Sequence, residues 1–218
     1  MNENSKLTPG ASNASPSGND LHFVVYSAVK RLIDVFFAFF ILLFASVPML
    51  VIALAVRLTS KGPAVFKQPR VGRNGELFNC LKFRSMYVNA PNSCASAELE
   101  KAKTYITPIG NILRKTSLDE LPQIINILKG EMSFIGPRPL IPEETYIHTE
   151  RKRLGVYILR PGISGLAQVS GRDLVPPDEK VRLDSEYLKH FGLVQDIRII
   201  FKTVFNVLGE KDIHEGEL

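Results

Sequence analysis

Two carboxylates stand side by side near the middle of the chain, in the segment TSLDELPQ at residues 116–123. Asp119 and Glu120 could supply a nucleophile and its neighbour, or they could simply begin a helix. Ser117 and Glu120 match a capping box, but that frame places Pro122 inside the helix. With Asp119 as the cap, Pro122 falls in the first turn, where proline costs little. In both frames the positive end of the helix dipole favours an ionised Asp119.

Basic residues in several short motifs could accompany these acids. They are Lys82 and Arg84 in LKFRSM, Arg114 in LRK, Arg138 in GPRP and Arg160 in RPGISG. Singly, each is more often ordinary surface charge. Together, arginines on rigid Pro/Gly loops are suited to a diphosphate, because the guanidinium forks onto phosphate oxygens. A carboxylate that attacks a phosphate needs such cations, or Mg²⁺, to overcome charge repulsion.

Composition narrows the function classes. The 218 residues carry a formal charge of +5, which fits an anionic partner such as nucleic acid, a phosphorylated substrate or lipid headgroups. No P-loop, G-x-G-x-x-G, G-x-S-x-G or zinc-ligand spacing occurs in the sequence. Cys80 and Cys94 are interpreted as free thiols of a reducing compartment. A recognisable nucleic-acid motif is also lacking, so no nucleic-acid partner is expected.

An apolar segment precedes all of these motifs. Val35–Val56 contains no charged residue, and its 22 residues would extend ~33 Å as a helix, enough for a hydrocarbon core of ~30 Å. Basic residues flank it on both sides, Lys30 and Arg31 before it and Arg70 among those after it, which favours both ends on the cytoplasmic face. Pro48 predicts a kink, so a bent, re-entrant helix accounts for both observations. A spanning helix remains the alternative from these features alone.

The remaining sequence predicts an α+β, mainly helical fold. We expect a disordered segment at 1–20, a membrane-associated re-entrant helix at 21–58 and a small cytoplasmic domain at 59–218. Short β-type segments around 65–66 and 77–83 predict a hairpin beside the membrane, and 91–104 an exposed helix or loop. Helices are expected from Thr107-Pro108 and up to Gly130, with Pro/Gly-rich loops at 136–142 and 160–171. An apolar stripe near the C-terminus, from Ile197 to Leu208, fits a core-facing or an interfacial amphipathic helix.

Four long motifs, in this order, resemble the bacterial sugar transferases, the monotopic phosphoglycosyl transferases. They are KRLIDVFFAFFILLFASVPMLVIAL, SKGPAVFKQPRVGRNGELFNCLKFRSM, LRKTSLDELPQIINILKGEMSFIGPRPL and RPGISGLAQVSGR. The resemblance runs from Lys30 to the C-terminus and is closest to the minimal form of the family, with one re-entrant helix and one catalytic domain. It implies a monotopic protein on the cytoplasmic face of the bacterial inner membrane.

The resemblance also implies a reaction. The enzyme would transfer sugar-1-phosphate from a UDP-sugar to a polyprenyl phosphate, and would release UMP, as the first membrane step of cell-surface glycan assembly. Asp119 would be the nucleophile that forms a covalent phosphosugar intermediate, Glu120 would complete the dyad, and Mg²⁺ near Asp119 would neutralise the diphosphate. The motif match makes the five basic residues named above candidates for phosphate or nucleotide contacts, and adds Asp184 as a substrate-site residue.

The sequence departs from the family at the membrane break. The usual Ser-Pro pair is replaced by Ser46 and Pro48, with Val47 between them. We retain Ser46 and Pro48 as the residues at which the helix is expected to kink. The alternative function is a non-catalytic surface scaffold that holds anionic lipids or a glycan-assembly partner. The identity of the sugar and the oligomeric state, a homodimer included, stay open.

Overall fold

A computed structural model describes residues 20–90, 105–171 and 175–208. The segment expected to be disordered, 1–20, lies outside these residues except for Asp20. The exposed helix or loop expected at 91–104 lies entirely outside them. The helices are α1 (Asp20–Thr59), α2 (Pro108–Lys115), α3 (Gln123–Lys129), α4 (Thr145–Arg153), α5 (Leu166–Val169), α6 (Pro177–Lys189) and α7 (Leu193–Leu208). The strands are β1 (Val65–Val71), β2 (Leu77–Phe83), β3 (Ser133–Ile135) and β4 (Gly162–Ser164). The predicted mainly helical composition is therefore confirmed for the described residues.

Helix α1 is a single element of 40 residues, about 60 Å long, and it is long and apolar enough to cross a membrane. The helix continues through Pro48, so the chain does not divide into two helices there, and the kink expected at Ser46 and Pro48 stays a prediction. Proline removes one backbone donor, and the Ser46 hydroxyl donates to the Leu43 carbonyl (2.8 Å) in the turn before it. A re-entrant path therefore cannot be ascribed to a hairpin between two separate helices.

One face of α1 packs against the rest of the protein along most of its length. Near its N-terminal end Tyr26 lies in the core formed with α6 and α7, and in its middle Ala38 packs with residues of α3. Towards its C-terminal end Val56 is fully buried against Phe83 and Leu113. Buried and half-buried residues recur about every three or four positions between Phe23 and Val56, so they form a single helical face. The opposite face is apolar and exposed, as at Phe44 (77%) and Leu58 (85%).

The predicted hairpin is confirmed. Strands β1 and β2 pair antiparallel from Val65 opposite Phe83 to Val71 opposite Leu77, and a short 3₁₀ turn at Arg73–Gly75 joins them. The second sheet was missed in the sequence, where β4 was assigned to the Pro/Gly-rich loop 160–171 and β3 was given no structure. Strands β3 and β4 are parallel and only three residues long. Such short strands among glycines and prolines carry too little alternation to be recognised.

The two interpretations of the C-terminal apolar stripe are distinguished by exposure. Ile197, Ile200, Phe201 and Phe205 of α7 are all exposed, and Ile199 is the buried one beside them. The predicted stripe therefore does not face the core. Because this stripe and the outer face of α1 both expose large apolar side chains, the arrangement favours the interfacial helix.

Candidate active site

The predicted acid pair lies on a tight turn between α2 and α3. Helix α2 begins as expected, with the Thr107 hydroxyl accepting from the Gly110 N–H (2.9 Å). After α2 the chain forms a 3₁₀ turn at Leu118–Glu120, and α3 begins only at Gln123, with Pro122 as its N-cap. Both sequence-based frames for the helix start were therefore wrong. Ser117 makes no side-chain cap bond, and Asp119 is the middle residue of the 3₁₀ turn.

The turn starts from a strained backbone. Ser117 has φ 55° and ψ 16°, a left-handed conformation that is uncommon for a residue with a side chain. Strain of this kind costs on the order of 1–3 kcal/mol and collects at functional sites. A 3₁₀ turn has three residues per turn, so the side chains of Asp119 and Glu120 diverge by about 120°. Asp119 is accordingly buried (8% exposed), while Glu120 is half-buried and faces strand β2.

Glu120 is paired with Lys82 of strand β2, and their nitrogen and oxygen atoms are 2.7 Å apart. Burial alone would raise the pKa of Glu120, but Lys82, Arg138 and a hydrogen bond from Gln123 together hold it below its ordinary value. Two predicted cations, Lys82 and Arg138, therefore converge on the acid next to Asp119. Arg70, which the sequence analysis missed, belongs to the same group.

Arg70 lies on strand β1 and donates to the Pro139 carbonyl (3.0 Å) and to Gln68. Burial lowers the pKa of Arg70, and the charge of Arg138 lowers it further. Two guanidiniums that repel each other in this way favour an anion between or beside them. On sequence grounds Arg70 was counted only as a basic residue flanking the membrane segment, because a strand residue within KQPRV carries no loop signature.

Asn126 of α3 fixes strand β2 against the active-site helix. It is fully buried; its side-chain nitrogen donates to the Asn79 carbonyl (2.8 Å), and its oxygen accepts from the Leu81 N–H (3.0 Å). Lys82 is the next residue of the strand, so Asn126 helps to set its distance from Glu120. A single asparagine on the apolar face of a predicted helix was the signal that sequence reasoning missed.

The loop that carries Arg138 is held by a buried ion pair. Asp184 of α6 is 1% exposed and accepts from Arg151 of α4 (2.6 Å), and Arg151 also donates to the Arg138 carbonyl (2.9 Å). The structure thus gives Asp184, expected at the substrate site, a supporting role behind that loop. Gly136 lets this loop pass close to the backbone of Arg160, because a Cβ at position 136 would lie 2.3 Å from the Arg160 carbonyl oxygen.

The other predicted basic residues are not gathered at the acid pair to the same extent. Arg84 is buried and donates to the carbonyls of Val56, Ser60 and Lys61, where it caps the end of α1. Arg160 donates to the Gly130 carbonyl (3.0 Å), beyond the far end of α3. Arg114 lies in the last turn of α2, one turn before the acids. Their roles as substrate contacts remain predictions.

The Lys82–Glu120 pair gives a pH-dependent prediction. The lowered pKa of Glu120 means that its ionised form stabilises the fold at neutral pH, and that this contribution is lost as the pH falls through the lowered pKa. Lys82→Gln removes the attraction but not the burial, so the pKa of Glu120 should rise. We expect the variant to melt about 3 °C below the wild type at pH 7, and the gap to narrow towards pH 4.

Thermal unfolding in detergent across this pH range measures the effect. Lys189→Gln, at an exposed position on α6, makes the same change of charge and should stay near the wild type throughout. A gap for Lys82→Gln that stays constant with pH would show that Glu120 does not depend on Lys82.

Comparison with known proteins identifies the family of this fold and site. The sequence model of the family described as "Bacterial sugar transferase" matches residues 25–210. The undecaprenyl-phosphate galactose phosphotransferase of Salmonella typhimurium is 42% identical over 195 residues, which is 83% of this chain and 40% of that protein. The UDP-glucose:undecaprenyl-phosphate glucose-1-phosphate transferase of Escherichia coli is 41% identical over 188 residues, 81% of this chain and 39% of that protein.

A shorter relative matches over most of both chains. The exopolysaccharide production protein ExoY of Sinorhizobium fredii is 35% identical over 189 residues, 80% of this chain and 83% of that protein. The chain thus spans about two fifths of the length of the Salmonella and Escherichia relatives. The family match covers most of the described residues, including both acids and the arginine loops. The chain belongs to the bacterial sugar transferase family.

Proposed function

We propose that this protein transfers sugar-1-phosphate from a UDP-sugar to a polyprenyl phosphate, with undecaprenyl phosphate as the expected acceptor. The observation that carries the proposal is the buried Asp119 on a strained turn, next to an acid on which Lys82 and Arg138 converge. The printed names of two relatives agree, since both are transferases that act on undecaprenyl phosphate. The reaction would initiate the assembly of a cell-surface glycan.

The transfer proceeds in two displacements at one phosphorus atom. An Asp119 carboxylate oxygen attacks the phosphorus that bears the sugar, and the bond from this phosphorus to the bridging oxygen breaks. That oxygen leaves with its electron pair as part of UMP, and the sugar phosphate is now bound to Asp119. A phosphate oxygen of the polyprenyl phosphate then attacks the same phosphorus. The Asp119 carboxylate leaves, which regenerates the enzyme and yields polyprenyl diphosphosugar.

Positive charge near the turn makes this attack feasible. Lys82, Arg70 and Arg138 offset the charge of the diphosphate, which would otherwise repel the Asp119 carboxylate. Glu120, already paired with Lys82, orients that cation and so positions the charge rather than attacking. Asn126 and the Arg151–Asp184 pair hold the strand and loop that carry these cations. Preorganised charge of this type avoids reorganisation during the reaction.

The residues present are compatible with Mg²⁺. Among the described residues no group of three His, Cys, Asp or Glu side chains is placed to bind a metal ion. Mg²⁺ does not require one, because it commonly binds through one or two carboxylates together with substrate phosphates and water. Asp119 would contribute the protein ligand, and the bound ion would neutralise charge on the diphosphate.

The contacts of α1 support a monotopic arrangement at the membrane. Tyr26 and Val56, separated by 30 residues and hence by about 45 Å of helix, both pack on the same domain. That distance exceeds a hydrocarbon core of ~30 Å, so a helix crossing the membrane could not keep both contacts with a domain on one side. The proposed arrangement therefore keeps both ends of α1 on the side of the domain, with its apolar outer face in lipid, and the basic residues that flank the apolar segment favour the cytoplasmic face for that side.

Replacing the nucleophile tests the reaction. Asp119→Asn keeps the size of the side chain but removes its nucleophilic oxygen, so UMP release from UDP-glucose or UDP-galactose in the presence of polyprenyl phosphate should fall at least about a thousandfold. The matched control is Asp178→Asn, an exposed acid in the first turn of α6, which should retain wild-type activity. UMP release by Asp119→Asn at the wild-type rate would exclude Asp119 as the nucleophile. No UMP release by the wild type with any UDP-sugar would favour the scaffold.

Cysteine labelling tests the topology. In a background lacking Cys80 and Cys94, His22→Cys and Lys61→Cys place thiols at exposed polar positions at the two ends of α1. A membrane-impermeant maleimide should label neither in intact cells and both after the cells are permeabilised. Phe44→Cys, exposed in the middle of the helix, should stay unlabelled under both conditions because lipid covers it. Labelling of one end in intact cells would establish a spanning helix instead.

A further inference from the structure

A second group of arginines lies where α1 meets the domain, away from Asp119. Arg31 of α1, Arg73 of the hairpin turn and Arg160 line one small cavity together with Asp34. Arg31 bonds to the carbonyls of the last turn of α3. The acid pair precedes the first residue of the same helix, whose seven residues extend about 10 Å. The arginine cavity and the active site thus lie at opposite ends of α3.

Backbone carbonyls anchor each of these guanidiniums. Arg31 donates to the Ile127 carbonyl (2.5 Å) and the Leu128 carbonyl (3.0 Å) through its two terminal nitrogens. Arg73 and Arg160 are held differently, through Nε only, by the Ile158 carbonyl (2.9 Å) and the Gly130 carbonyl (3.0 Å). Within the described part of the chain no hydrogen-bond acceptor lies against their terminal nitrogens. Two guanidinium forks are therefore fixed in place and available to an anion.

The charge around the cavity is unbalanced. Lys30, which also lines it, is neutralised by its ion pair with Asp196. Among the described lining residues Asp34 is the single carboxylate, and it already accepts from the Phe134 N–H (3.3 Å). Three guanidiniums thus share one carboxylate. Burial lowers the pKa of Arg160, and the charges of Arg73 and Arg31 lower it further, as expected where cations repel each other.

The position of the cavity indicates which anion it would meet. Arg31 lies four residues before the charge-free segment Val35–Val56, at the level where that segment would enter the hydrocarbon core. On the same helix Leu32 (73% exposed) and Phe36 (57% exposed) present apolar surface next to it. A ligand here can place acyl chains on α1 and its charged group among the arginines. A soluble anion has no acyl chains, so it would contact only the arginines.

We propose that Arg73 and Arg160, backed by Arg31, bind the phosphodiester of an anionic phospholipid headgroup. The lipid would fix the depth and rotation of α1 at the membrane surface by joining α1, the hairpin and the segment before β4. This site is separate from the proposed catalytic one and does not depend on the catalytic reaction. It requires only that α1 lies in the membrane.

Lipid-dependent thermal stability of the full chain in neutral detergent tests the proposal. Short-chain phosphatidylglycerol should raise the melting temperature in a saturable, salt-sensitive way, because a ligand that binds only the folded protein stabilises it. Zwitterionic phosphatidylcholine should raise it much less. Arg73→Gln should weaken the apparent affinity for phosphatidylglycerol about tenfold, because it removes one charged fork. Arg73→Lys keeps the charge without the fork, so its apparent affinity for phosphatidylglycerol should lie between those of the wild type and Arg73→Gln. If Arg73→Gln does not fold, Arg73→Lys serves in its place.

The control is Arg182→Gln, which makes the same change of charge on exposed α6 and should bind phosphatidylglycerol like the wild type. Equal affinity for both lipids, or equal affinity of the Arg73 and Arg182 variants, would overturn the proposal. Inorganic phosphate provides the third comparison. If it stabilised the protein as much as phosphatidylglycerol at the same concentration, the cavity would be a site for free phosphate and not for a lipid.

Discussion

The lengthwise packing of α1 on the domain is the constraint on which the rest of the structure depends. Buried charges hold one end: Asp196 accepts from Lys30, Tyr26 and Tyr187, so three side chains from α1 and α6 converge on one carboxylate of α7. Buried pairs of this kind are costly to break, because each partner left alone would be an unpaired charge away from water. Arg84 holds the other end by capping the last turn of α1. The long apolar helix is thereby fixed along its length to the rest of the domain.

This packing also sets the position of the active site. Ala38 of α1 is fully buried against Ile124 and Ile127 of α3, and Arg31 bonds to the carbonyls at the end of α3. Because α3 is fixed on α1, the turn that precedes α3 has a fixed position relative to α1 and, in the proposed arrangement, relative to the membrane. The proposed reaction joins a water-soluble nucleotide sugar to a lipid phosphate, so its nucleophile must lie where both can reach it. With α1 in the membrane as proposed, the contact between α1 and α3 would meet this requirement without a separate docking step.

Features set by local chemistry were predictable from the sequence. Thr107-Pro108 and Gly130 identified helix ends because a hydroxyl cap and a left-handed glycine act within one turn. The acids of TSLDELPQ were correctly placed at a helix entrance, but the local frames failed, since both assumed that α-helix follows at once. Ser117 adopts a left-handed backbone that only the surrounding packing can enforce, and no local rule favours it there. Contacts distant in sequence, such as Arg151 with Asp184 and Asn126 with β2, were likewise beyond local patterns.

The central claim is that Asp119 carries the sugar phosphate between two displacements, and the mass of the intact protein tests it most directly. Wild-type protein given a UDP-sugar it accepts, without polyprenyl phosphate, should gain the mass of one phosphosugar and release a matching amount of UMP. Adding polyprenyl phosphate should remove the gain, and Asp119→Asn should never show it. UMP that forms only when polyprenyl phosphate is present, with no adduct trapped at early times, would contradict the account and indicate direct transfer between the two substrates.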